Sequence, residues 1–421
     1  MNNQELWLHI DVNSYFASIL QQENPALRGK ALGVVKDQGR TCLIATSREA
    51  KKMGISTGTL LKDAQEKCPS LIVLPAAFQL YLSATHTLES VLGSFSPDVE
   101  MFSLDEAFLY YTPICRQYVT PQDCALRIQH ALKKNLGEWV TCSVGISHTK
   151  FLAKLAGEKA STDEIQTITE ETKDGFLSQV QFKDVCGVGH RLERKLALLG
   201  VYNPYAIRFI PKEQLVGVFG AFWASELKKI AYGEETHLLS HRTQNEHMKS
   251  VSRSITCMGA PWKTERGIQS ILYNLTTDVC HKARALGLAG RHFSVSLKGR
   301  TEYWSTHQIF TTPLSHSRTT AQIIWNTILY HWEKRFPVIR CHVSLNLLSP
   351  HLFLQESLLP EWQRSEKIEQ AVMNMNAKYG PYTLRPATLL RRSEILKPEV
   401  NGFFGDRPFY SMQSPVIQIV K

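Results

Sequence analysis

The chain has 421 residues, 43% of them hydrophobic, and carries 48 Lys and Arg against 38 Asp and Glu, giving a formal net charge of +10 and a pI near 9.1. That length exceeds one core of ordinary size and suits about two to four domains, and the basic surplus favours a polyanionic partner. Its 9 Cys are odd in number with no C-x-x-C pair, no apolar run is long enough for a bilayer, and residues 1–8 lack a basic stretch followed by an apolar one. Zinc-ribbon, disulfide-framework, secreted and membrane-spanning classes are therefore set aside in favour of a reducing, cytoplasmic setting.

Residues 6–10 form a short apolar run ending at Asp11, the pattern of a strand buried on both faces. Tyr15, Phe16, Ile19 and Leu20 then fall at helical spacing until Asn24-Pro25 and Gly29-Lys30 break the pattern. Residues 32–35 and 43–45 predict strands on either side of a polar turn, 47–53 a short basic helix closed by Gly54, and 60–68 another stopped by Pro69. Residues 79–95 predict a longer amphipathic helix, with Leu80, Ala84, Leu88, Val91 and Leu92 on one side. Two strands, 99–102 and 107–111, flank Ser103-Leu104-Asp105-Glu106 like a hairpin. A helix over 124–136 starts from the capping candidate Thr120-Pro121, a strand follows over 140–146, and a helix over 151–159 carries Lys154 and Lys159 on its polar side. Residues 166–240 are helical and strand-poor, and residues 245–347 alternate strands and helices as a compact α+β module. From residue 348 the tail is less regular. There is no internal repeat, and the fold class is α+β multidomain.

Asp11 ends a buried strand, and Asp105 and Glu106 sit at a strand junction. A carboxylate pressed against an apolar strand is costly unless it is paired or holds a metal, and no cation stands beside any of the three in sequence. Phosphoryl transfer needs such a group: two divalent ions roughly 3.5–4 Å apart activate a hydroxyl and neutralise leaving pyrophosphate. Hard oxygen ligands suit Mg²⁺. Adjacent strand residues point to opposite faces, so the hairpin tip must relax that alternation for Asp105 and Glu106 to share a site. Without further information, a polar turn of solvated acids explains Ser103 to Glu106 as well.

Three motifs in order decide between these. His9-Ile10-Asp11-Val12-Asn13-Ser14-Tyr15-Phe16-Ala17-Ser18, Ser103-Leu104-Asp105-Glu106-Ala107-Phe108-Leu109, and Ser143-Val144-Gly145-Ile146-Ser147 with Lys150-Phe151-Leu152-Ala153-Lys154-Leu155-Ala156 resemble the signature segments of Y-family (DinB/UmuC-like) translesion DNA polymerases. The resemblance runs from about residue 6 to about residue 395 and is strongest over the first ~165. It implies a right-hand polymerase: a catalytic palm over 1–20 and 76–165, small fingers over 21–75, a helical thumb over 166–240, a little finger over 245–347 and a tail over 348–421.

Carried over on those residues, Asp11 and Asp105 would bind both of two Mg²⁺ ions, Glu106 would complete the site beside the primer 3′-hydroxyl, and the Val12 carbonyl would be a further ligand. Tyr15 and Phe16 would lie against the incoming dNTP, with Phe16 as the steric gate whose ring blocks a ribose 2′-hydroxyl. Ala45-Thr46-Ser47-Arg48-Glu49-Ala50-Lys51 matches the fingers segment that holds the triphosphate, although the family often has a tyrosine in place of Arg48 and an arginine in place of Lys51. Both replacements keep a donor, and Lys51 offers a point charge rather than a fork. Lys154 matches a palm lysine that reaches the triphosphate. Asn13 stands where many members carry a second aspartate.

Val185-Cys186-Gly187-Val188-Gly189, before a basic stretch over 190–195, resembles a helix–hairpin–helix, in which Gly187 and Gly189 would let backbone N–H groups approach a DNA phosphate. Arg253, Lys298 and Arg300 would track phosphates from little-finger strands. Residues 348–354 hold the place of a sliding-clamp peptide but lack its glutamine and final phenylalanine. The implied partners are primer-template DNA, dNTPs and a possible sliding clamp, with no membrane and a monomeric chain. The first motif leans to the UmuC branch, and the thumb and little finger to the DinB branch. A DNA-binding scaffold of polymerase shape, and a nuclease using the same metals, are the competing functions. The retained acids and gate speak against the first; the second would need a water-activating group and would degrade DNA without dNTPs.

Overall fold

Trp7–Val12 forms strand β1 and buries both of its faces, which only the centre of a sheet allows. In the computed structural model, which describes residues 5–36, 42–239, 248–256, 264–314, 317–332, 336–350, 360–380, 383–385 and 387, this strand is the middle of a five-stranded sheet. The described residues divide into two compact units, within Met1–Arg242 and within Thr243–Asn401.

In the first unit, β5 (Val99–Met101), β6 (Glu106–Tyr110), β1, β7 (Cys142–Ser147) and β8 (Ile165–Thr167) lie in that order. β1 is antiparallel to β6 and β7, and β8 is parallel to β7. β8 crosses the expected palm boundary at residue 165: its three half-buried residues are too short a run to show periodicity. Helix α1 (Tyr15–Glu23) follows β1, and α4 (Phe78–Phe95) packs on α5 (Pro121–Leu136). The Thr120 side chain caps α5 by accepting from the Asp123 N–H, and Pro121 occupies the first turn, where a missing N–H costs nothing. α6 (Lys150–Lys159), capped by Thr149, lies on β1 and β7.

A smaller three-stranded sheet, in order β3 (Leu43–Thr46), β2 (Leu32–Val35) and β4 (Ile72–Pro75), carries the short helices α2 (Arg48–Lys52) and α3 (Leu61–Lys67). β4 has no counterpart in the sequence reading. It pairs parallel to β2, and its four residues end in a proline, which hides the strand signal. Helices α7 (Lys173–Gln179), α8 (His190–Leu198) and α9 (Lys212–Tyr232, interrupted at Gly220) complete the unit. Their core of Leu177, Phe182, Leu196, Ile207 and Leu227 is continuous with Phe151 of α6 and Phe108 of β6.

The second unit is an antiparallel sheet in order β11 (Tyr303–Leu314), β10 (Leu288–Lys298), β12 (Arg340–Pro350) and β9 (Ser250–Thr256). Val251, Phe293, Val295, Leu297, Val343 and Leu345 pack against α10 (Glu265–Ala285) and α11 (Ser317–His331). None of the four strands contains an Asp or Glu.

The tail expected to be irregular contains the 20-residue helix α12 (Pro360–Tyr379). Its apolar periodicity is weak because polar bonds hold it. Buried Glu369 accepts from the Ser317 N–H at 2.6 Å, from the Ser317 hydroxyl, and from His281 Nε2 at 3.3 Å, and Arg284 forks onto Glu366. Burial works against the Glu369 charge, but the bonds from His281 and Ser317 prevail and hold its carboxyl down to about 2. A carboxylate depressed in the folded state stabilises above its unfolded value, and that contribution is lost as pH falls from about 4 towards 2. Glu369→Gln is expected to cost about 2 kcal/mol at pH 7 and little at pH 2.5, measured by urea unfolding. An equal loss at both pH values would dismiss the charge as the source. Of the segment resembling a clamp peptide, residues 348–350 finish β12 and residues 351–354 lie outside the described residues.

Candidate active site

Asp11 on β1 stands directly across from Glu106 on β6. Partners in an antiparallel pair project from the same face, so the two carboxylates are neighbours. Asp105 belongs to the turn before β6, not to the strand, and this removes the conflict with strand alternation. Its carbonyl accepts from the Val12 N–H at 3.0 Å, tying the turn to β1. The Ser103 hydroxyl donates to Asp105 Oδ1 and accepts from the Asp105 N–H at 3.3 Å. All three acids, with Val12, line a cleft of about 750 Å³.

Burial pushes the Asp11 carboxyl up to about 8, and the neighbouring Asp105 and Glu106 charges add to the effect. Asp105 is also raised, by burial first and by Glu106, against the Ser103 hydrogen bond. Carboxylates whose ionisation is resisted in this way gain from any cation placed among them. Among the described residues no three acid, histidine or cysteine side chains already converge as a closed cage. Few carboxylates plus backbone oxygen is the donor set of an ion that completes its shell with substrate phosphates, so the residues fit a Mg²⁺ site.

Lys154 departs from expectation. It is not on a polar helix face: it is buried, with its Nζ 3.0 Å from Glu106 Oε1 and 2.9 Å from Glu158 Oε1, two acids that line the cleft. Burial opposes its charge, but Glu106 and Glu158 outweigh that and hold the ammonium well above the ordinary lysine value. Lys154 therefore braces Glu106 from behind. Glu158, one helical turn from Lys154, is a fourth acid on the cleft wall that the sequence reading missed; its only signal was the i,i+4 pairing with Lys154.

Helix α6 reaches this position because two side chains are absent. A Cβ on Gly145 of β7 would strike the backbone of Ala153 and Gly157, and one on Gly157 would stand 2.7 Å from the ring of buried His9. The helix lies directly on the sheet there.

Phe16 also lines the cleft; its ring stacks on Tyr81 at 4.2 Å with a 10° interplanar angle, and Phe78 meets it edge-on. Tyr15 lines the cleft, but its hydroxyl is turned away, donating to the Tyr81 carbonyl at 2.6 Å and lying 2.8 Å from the Thr85 hydroxyl. That leaves its ring and backbone, not its hydroxyl, to face the cleft. Arg48 and Lys51 of α2 both line the cleft, as do Lys52 and Thr57.

Asn13 is a hub: its Oδ1 accepts from Thr141 Oγ1 at 3.0 Å and from the Asp163 N–H at 3.1 Å, and its Nδ2 donates to Ser143 Oγ at 2.8 Å. The Ser143 hydroxyl already donates to the Ser161 carbonyl, so it needs a donor, not an acceptor, from residue 13. Asn13→Asp is expected to lower stability by roughly 1–3 kcal/mol, and a thermal melt unchanged from wild type would contradict this.

The DNA-holding expectations divide. Gly187 has φ +86, and a Cβ there would meet Leu238 at 2.5 Å, so the turn before α8 requires glycine. Gly189 precedes α8 in extended conformation; both glycines are exposed beside exposed Arg191, Arg194 and Lys195. Lys298 and Arg300 are exposed. Arg253 is not on the open face: with Val251 and Ile255 it faces the helices, and it pairs with Asp278 of α10 at 3.0 Å. Strand alternation puts residues 251, 253 and 255 on one side. Arg340 takes that place on the open face, donating to the Ser254 hydroxyl at 2.9 Å.

Residues 10–158 match the impB/mucB/samB family, and residues 248–358 match the impB/mucB/samB family C-terminal domain. The chain is 28% identical over 397 residues to DNA polymerase IV of Moorella thermoacetica, covering 92% of this chain and 96% of that protein. It is 25% identical over 404 residues to DNA polymerase IV of Treponema denticola, covering 94% and 99%. Among solved structures it is similar to a Y-family DNA polymerase chimera of Dbh and Dpo4, with a TM-score of 0.69 and 21% identity over 81% of this chain and 98% of the other. No described helix is long and apolar enough to cross a membrane. With both family matches in order along one chain, around a cleft that gathers the acids of the first two motifs, the chain belongs to the impB/mucB/samB family of Y-family, DinB-like DNA polymerases.

Proposed function

We propose that the chain is a template-directed, low-fidelity DNA polymerase that performs translesion synthesis, adding dNTPs to a primer 3′-hydroxyl. The observation that carries this reading is a single cleft lined both by Asp11, Asp105 and Glu106 and by Phe16, Arg48 and Lys51. Two Mg²⁺ ions bound at the acids would activate the primer hydroxyl and neutralise the departing pyrophosphate. Asp11, Asp105 and the Val12 carbonyl are proposed as their holders, with Glu106, braced by Lys154, on the primer side.

Arg48 and Lys51 face the triphosphate, and the Phe16 ring occupies the space of a ribose 2′-hydroxyl. The five-stranded sheet serves as palm, the three-stranded lobe as fingers, α7 to α9 as thumb and the acid-free sheet of the second unit as little finger. The turn at Gly187 and Gly189, and Lys298, Arg300 and Arg340, are proposed to hold phosphates without reading sequence. A fingers lobe of three four-residue strands and two short helices offers little surface to test base-pair geometry. Primer extension with Mg²⁺ and dNTPs, on intact and on abasic templates, tests this directly. Extension past the lesion with frequent misincorporation is expected, and replicative accuracy on intact DNA would overturn the low-fidelity reading.

A further inference from the structure

Arg48 belongs to the fingers helix α2, yet the polar contacts of its guanidinium reach the palm loop between α5 and β7. Nη1 donates to Thr141 Oγ1 at 3.3 Å, Nη2 donates to the Trp139 carbonyl at 3.3 Å, and the guanidinium carbon lies 5.4 Å from the centre of the Trp139 ring. The ring is itself anchored. Its Nε1 donates to Gln21 Oε1 at 3.0 Å, and the Trp139 N–H donates to Gln22 Oε1 at 3.0 Å. Arg28, which donates to the Gln21 and Gln22 carbonyls, sets a second guanidinium 5.7 Å from the same ring. Thr141 in turn donates to Asn13, beside the metal motif.

We infer that Trp139 is a positioning residue that presents Arg48 to the triphosphate of the incoming nucleotide. The inference rests on the polymerase reading above and deepens it. A long side chain at position 48 would otherwise wander, and ordering it would weaken nucleotide binding. A planar guanidinium lies flat on an indole, which a lysine cannot reproduce. Arg carries five N–H donors, and the two bonds to the loop leave the others available to phosphate oxygens. Arg48 lines the cleft, whereas Trp139 lies outside it and acts only through the arginine.

The test is a double-mutant cycle on steady-state dNTP incorporation, paired with the dNTP dissociation constant on a dideoxy-terminated primer. Trp139→Ala is expected to raise KM and the dissociation constant about five- to tenfold, the range of one cation–π contact, with kcat within about twofold of wild type. Trp139→Phe, which keeps a ring, should fall between the two. In an Arg48→Ala background, Trp139→Ala should add nothing further. If it adds its full effect there, or if KM does not move, the inference is overturned. Should the alanine variant not fold, Trp139→Phe and Thr141→Val carry the same cycle, with about two- to threefold effects that must likewise vanish without Arg48. Wild type that extends primers while Trp139→Ala keeps its KM defeats this inference alone. Wild type that does not extend removes the polymerase reading and this inference with it.

Discussion

Primer extension is expected to fall on the order of 10²–10³-fold or more in Asp105→Ala and in Glu106→Ala, with duplex binding intact, because each removes preorganised charge from the point where the reaction develops it. The structure also gives the direction of the accompanying stability change. Asp11 is pushed up to about 8 by burial, with Asp105 and Glu106 adding to it. A carboxyl raised in the folded state costs stability above its unfolded value near 3.9, and the cost grows as pH rises towards 8. Deleting Asp105 relieves part of that cost, so metal-free Asp105→Ala should melt no lower than wild type at pH 7, whereas Glu106→Ala also takes a partner from the buried Lys154 ammonium, leaving it Glu158 alone, and should melt somewhat lower. Single-turnover extension and a thermal melt on the same preparations check both points. Variants retaining a tenth of wild-type rate would remove these acids from the reaction centre, and a large fall in melting temperature would turn the loss of activity into one of folding.

The second large effect is expected at Phe16. Its ring stacks on Tyr81 and is met edge-on by Phe78, so swinging it aside to admit a 2′-hydroxyl would break both contacts. Phe16→Ala should raise ribonucleotide incorporation relative to deoxyribonucleotide by roughly 10–200-fold, the range for a fit error of about one heavy atom. Competition between rCTP and dCTP opposite a template guanine measures it. Unchanged exclusion would take the gate role from Phe16. Tyr81→Ala, which removes the backing and leaves the gate, should relax exclusion by a smaller factor.

Much of this site was legible in one dimension. Asp11 follows a run apolar enough to announce a central strand, and Asp105 and Glu106 lie between two strand signals, but their meeting depends on the long-range pairing of β1 with β6, which no local pattern carries. The difficulty of two adjacent acids sharing one face dissolved because β6 begins at Glu106, a boundary one residue away from the one expected. Arg253 was placed on the wrong side of its strand, although its alternation with Val251 and Ile255 contained the answer. Lys154 could not be read correctly from sequence, since its partner Glu106 is 48 residues distant and only the docked α6 reveals it as buried. The signal of β4 is hidden by the proline that ends it, and β8 is three half-buried residues with a polar one at its centre, which make no apolar run. Helix α12 was missed because an ion pair with α10 and hydrogen bonds from Ser317, rather than an apolar stripe, fix it.

Gly145 contributes no atom to the chemistry, yet α6 rests on the space its missing side chain leaves, and α6 carries both Lys154 and Glu158. Any side chain at that position would lift the helix off the sheet and draw the brace away from Glu106. In a saturation survey of viable variants, this glycine would rank with the acids among the positions that accept no replacement. A catalytic map drawn from intolerance to change would thus mark a residue whose whole contribution is the volume it does not fill.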